Sequence, residues 1–159
     1  MKKVVLLICS ACLVAAASRS FAEDHIRELD AVRTAIIEQG NNMPDLIRDA
    51  KDTDIRTLER IYELSTSLLT TVEAYFKMLR LVIASKIDIN NDVISSLNEW
   101  LAFIHNQCGY DIEYLNEALG ETQSEEIKKQ IEIARNNVQR LASASMAGME
   151  ENADLAPED

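Results

Sequence analysis

The chain has 159 residues, 27 of them acidic and 16 basic, for a formal net charge of −11. That excess of carboxylates, with no basic stripe or polybasic arm against it, repels nucleic acid and anionic lipid and sets aside functions on either. Only two prolines and four glycines, with no alternating β-branched runs, point to an all-α chain.

The N-terminus reads as an export signal. Met1-Lys2-Lys3 is basic, Val4 to Ala17 is apolar apart from Ser10, and Ser20 and Ala22 are the small residues of an A-x-A-like peptidase site, so cleavage is expected after Ala22. The run is shorter than the roughly 20 residues a spanning helix needs, and no stable membrane insertion is expected once it is removed. Ser10-Ala11-Cys12 resembles the end of a lipoprotein box, but Cys9 stands where a bulky aliphatic is usual, and the apolar run continues past Cys12. The expected organisation is a signal peptide over 1–22, a helical domain over 23–148 and a disordered acidic tail over 149–159. Cleavage takes away Lys2, Lys3 and Arg19 but no acid, leaving a formal charge of −14 and one cysteine, Cys108. A periplasmic or secreted protein with one cysteine has no internal disulfide and must be held by packing.

Helical spacing then runs almost unbroken. Ile26, Leu29, Val32, Ile36 and Ile37 predict a first helix from about Asp24 to Gln39. Gly40 is placed as its stop, Asn41 to Pro44 as a turn, and Pro44 to Lys51 as a short extra helical piece with proline in its first turn. Asp52, Thr53 and Asp54 offer caps for a long helix from Ile55 to Lys86, which carries two full apolar rows and no Gly or Pro. A third helix begins near Asp92, with the row Ile94, Leu97, Leu101, Ile104, Cys108, Ile112, Leu115 and Leu119, and stops at Gly120. Thr122-Gln-Ser-Glu125 has the form of a capping box for a last helix, which Gly148 is expected to end. Four substantial helices joined by short turns predict an up-down antiparallel four-helix bundle with one short extra helical segment.

The stretch from Asp88 to Glu99 places Asp88, Asn90, Asp92 and Glu99 at positions 1, 3, 5 and 12 of a calcium loop. Its sixth position, where glycine allows the sharp turn, is the β-branched Val93, and its eighth is Ser95. Asn90, Asn91 or Asp92 as a helix cap accounts for the same residues, so no metal is expected there. The chain lacks Glu-x-x-His, H-E-x-x-H, Cys-x-x-Cys-His and any glycine-rich phosphate loop. His25 sits three residues past the expected cleavage site, where ends fray. Cys108, on the core row, reads as a buried inert thiol, with an intermolecular disulfide as the alternative. Neither a cofactor nor catalysis is expected.

The residues therefore favour an exported, non-enzymatic bundle acting by protein–protein contact: an envelope accessory, a secretion-system component or a periplasmic chaperone, with a protein partner or a second copy on its surface. The aromatics cluster on the two central helices, and Tyr62, Tyr75, Trp100 and Phe103 are the candidate partner surface. The alternative is a periplasmic bundle holding a ligand, metal or haem between helices, with Met78 and His105 as the pair that could ligate haem.

Overall fold

The computed structural model describes residues 23–85 and 90–153, and among them it holds four helices and no strand. They are α1 (Glu23–Asp49), α2 (Asp52–Ala84), α3 (Asn91–Glu121) and α4 (Glu125–Ala153). The expected signal peptide, Asp88 of the would-be calcium loop and residues 154–159 lie outside the described residues. No helix among the described residues is long and apolar enough to cross a membrane.

The helices run up-down-up-down. Each of two helix pairs is tied by side chains whose numbers fall on one helix as they rise on the other: His25 to Tyr75 and Arg33 to Glu73 join α1 to α2, and His25 to Glu151 and Glu28 to Arg140 (2.8 Å) join α1 to α4. The Gln107 amide donates to the Ser67 hydroxyl at 2.9 Å between α3 and α2, and His105 donates from Nδ1 to the Ala142 carbonyl at 3.1 Å between α3 and α4. Helices α1 and α3 each pack on α2 and α4, and the closest seam is α3 on α4. One continuous core fills the centre, from Met43 and Leu58 at one end to Leu29, Tyr75, Leu97 and Leu101 at the other.

The expected stop at Gly40 and turn over Asn41 to Pro44 are not there. Helix α1 runs straight through both residues, so the short extra segment is its last two turns. Pro44 removes the donor that would reach the Gly40 carbonyl four residues back. The helix persists because stopping at Gly40 would take the fully buried Met43 off the core, along with Leu46 and Ile47, which pack against it. Helix α2 starts at Asp52 behind Lys51, which makes no side-chain cap; Asp52 and Asp54 instead place carboxylates at its positive end. Helix α3 starts as a capped helix should: the Asn90 side chain accepts from the Val93 amide at 3.0 Å. Asn91 to Glu99 is therefore helix, and the exposed Asp92 and Glu99 lie on its surface.

Two expectations at the ends of α4 also change. The cap is Ser124, whose hydroxyl accepts from the Ile127 amide at 3.4 Å, while Thr122 is the C-terminal cap residue of α3. Gly148 does not end the helix: the buried row Leu141, Ser145, Gly148, Asn152 continues to Ala153, so residues 149–153 of the expected tail are helical. Asn152 is fully buried and its amide donates to Asn98 of α3 at 2.8 Å.

Candidate functional site

Two places in the bundle hold more polar or aromatic chemistry than packing requires. The first is inside, at the end where α1 begins and α4 finishes. His25 is buried at 1% exposure. It belongs to the inner row His25, Leu29, Val32, Ile36, Gln39, Met43, which steps by four and three along α1. Its Nδ1 donates to the Glu151 carboxylate, which can only accept, and its Nε2 lies 3.3 Å from the Tyr75 hydroxyl, which donates to it in the neutral ring. Burial, with the Glu151 charge second, pushes the Tyr75 hydroxyl above its ordinary value, so it keeps its proton. The ring fits because Gly148 has no side chain: a Cβ there would lie 2.7 Å from His25 Cδ2 and 2.9 Å from Leu101 Cδ1. His25 is thus a link between three helices and not a fraying end. Its place on the inner row was the signal in the sequence.

The second place is outside, along α3. Trp100, Phe103, Gln107, Tyr110 and Tyr114 step by three and four and form a row beside the core row. Gln107 is drawn toward α2 by Ser67, and Arg60 of α2 lies over the Tyr114 ring, 5.6 Å from its centroid. Trp100 and Phe103 meet edge to face, with centroids 6.3 Å apart and planes at 77°. Trp100 and Tyr114 are half-buried, whereas Phe103 is 56% and Tyr110 75% exposed.

The four expected partner-surface residues do not form one surface. Trp100 and Phe103 come together. Tyr75 is fully buried, its ring 6.0 Å from that of Phe76, and leaves the set. Tyr62, 41% exposed, is eleven residues before Glu73 and shares its face of α2, the one that pairs with Arg33 of α1, away from α3. Tyr110, one heptad after Phe103, is the exposed aromatic that the selection left out.

Cys108 is fully buried, and burial, reinforced by the nearby Asp111 carboxylate, pushes its thiol up to about 12, so an intermolecular disulfide has neither access nor thiolate. Asp111 itself takes the inner position that the sequence suggested for Ile112; burial lifts its carboxyl above the usual range, Arg60 partly opposes this, and its Oδ2 has no hydrogen-bond partner. Met78 packs against the core from α2, while His105 turns to α4 and lines a shallow groove with Ala142, Met146 and Glu150, so the two do not face one space. Among the described residues no three His, Cys, Asp or Glu side chains are gathered where they could hold a metal ion. No protein-family model, curated protein or solved structure matches the chain.

Proposed function

We propose that this protein is exported, is not an enzyme, and works by protein–protein contact through the outer face of α3, in the manner of an envelope accessory, secretion-system component or periplasmic chaperone. The observation that carries the reading is the exposure of Phe103 and Tyr110, flanked by half-buried Trp100 and Tyr114, on a bundle whose core is already closed. A contiguous aromatic row adds nothing to a monomer's stability when it faces water, and large aromatics are the usual anchors of partner surfaces. The side chains best suited to catalysis are already engaged: both ring nitrogens of His25 have partners, His105 Nδ1 is bonded to α4, and Cys108 is buried. The N-terminal segment supports export.

Photo-crosslinking in the source cell tests this reading. A benzoyl-phenylalanine at position 103 or 110 is expected to give a discrete adduct with a second polypeptide, and the same probe at the exposed Glu38 of α1 to give none. Absence of adducts at both α3 positions would remove the contact face.

A further inference from the structure

We infer that the occupant of this face, if the contact reading above holds, is a basic amphipathic helical segment of another protein. The outermost row of α3 reads Glu99, Phe103, Asn106, Tyr110, Glu113, Glu117, and every one of these residues is exposed. It spans about 27 Å, with its two aromatics two turns apart in the middle and carboxylates at both ends. Helix α3 carries six acids, at positions 92, 99, 111, 113, 117 and 121, and no Lys or Arg. Two cations of neighbouring helices reach α3 without pairing with the carboxylates of this row: Arg60 pairs with Glu63 at 3.1 Å and lies over the Tyr114 ring, and Arg135 donates to the Asn116 side chain at 3.3 Å. The stripe therefore offers an aromatic centre with carboxylate ends, Glu99, Glu113 and Glu117, that form no ion pair among the described residues. Its complement is a helix with apolar side chains at two-turn spacing and Lys or Arg flanking them, which gains both burial and charge pairing, with cations able to lie over the Phe103 and Tyr110 rings.

A second copy of this chain is the poorer fit. An antiparallel two-fold pairing of the stripe in full register sets Glu99 against Glu117 and Phe103 against Glu113, and a parallel pairing sets each carboxylate against itself. Two chains of charge −11 each, or −14 after loss of residues 1–22, also repel as they approach.

Three labelled helical peptides of about 18 residues separate the possibilities by fluorescence anisotropy against the protein purified from its host. One has Leu at two-turn spacing with Lys and Arg flanks, one has the same Leu face with Glu flanks, and one keeps the basic flanks but has Ser for Leu. The first is expected to bind with Kd on the order of 10 μM at about 50 mM salt and to weaken about ten-fold by about 300 mM, while the other two bind at least about ten-fold more weakly. The surface variants Phe103→Ser/Tyr110→Ser and Glu99→Gln/Glu113→Gln/Glu117→Gln are each expected to lose about ten-fold for the first peptide. Equal binding of the acidic-flanked peptide, or full binding by either variant, overturns the basic partner. So does a concentration-dependent doubling of mass in sedimentation that Phe103→Ser abolishes, since the occupant is then a second copy. A photo-adduct at position 103 together with no binding of the basic peptide leaves the contact reading standing and removes only this partner class; no adduct removes both.

Discussion

Asp111 stands where an apolar residue would close the inner row of α3, between Cys108 and Leu115, and one of its oxygens has no partner. Burial raises its carboxyl above the usual range, so the folded chain holds that proton more tightly than the unfolded chain does. The stability this confers is complete below the ordinary carboxylate pKa of about 3.9 and is lost as pH rises through the folded value. Asp111→Asn is therefore expected to stabilise the protein by about 1 kcal/mol at pH 7 in urea unfolding, the gain fading as pH is lowered through the carboxylate range. A variant less stable at pH 7 would mean that attraction to Arg60 outweighs burial. Gly148 works in the opposite sense. Its neighbours cannot give way, because the His25 ring is held by Tyr75 and Glu151 and Leu101 is fully buried. Gly148→Ala is expected to destabilise by about 1–2 kcal/mol despite alanine's better helix propensity, read as a lower urea midpoint at unchanged slope.

Helix α1 shows where local signals lose to packing. A glycine followed four residues later by a proline is a strong stop signal, and the turn expected there follows from it. The signal fails because the row that leads through Ile36 and Gln39 reaches Met43 at the right angle to bury it, and keeping Met43 in the core outweighs one missing hydrogen bond. Gly40 is then a helical glycine with open space around a would-be Cβ. Gly40→Ala is expected to stabilise by about 0.5–1 kcal/mol in the same urea assay, by lowering unfolded-chain entropy. A loss of stability would mean that the helix needs glycine's freedom at the residue facing Pro44. The glycine of α4 misleads for another reason. Gly148 lies on the inner row and serves a close approach of α4 to α1 and α3, a role that one helix's sequence does not distinguish from a stop. The cap of α3 was legible only as one of Asn90, Asn91 and Asp92, of which Asn90 takes the role, and the cap of α4 was misplaced by two residues where Thr122 and Ser124 competed.

At the scale of the whole molecule, the acidity is a property of the chain as written, and the stripe on α3 is a property of the bundle. Helical periodicity, the short connections and the lack of alternating strand patterns were enough by themselves to determine four antiparallel helices around one core, because an apolar stripe that repeats every three to four residues can be buried in few other ways. Tertiary structure alone decided which of the adjacent rows on each helix is covered. Rows on a helix lie side by side, and an aromatic row next to a core row carries the same spacing whether a neighbour hides it, as with Tyr75, or leaves it in water, as with Phe103 and Tyr110. The same holds for His25: its chemistry was visible at the start of the chain, but only the meeting of α1, α2 and α4 places Tyr75, Glu151 and the gap left by Gly148 around its ring. Exposure and partnership depend on the angles between helices, which are set by the sum of all side-chain volumes in the core and by no single stretch of residues.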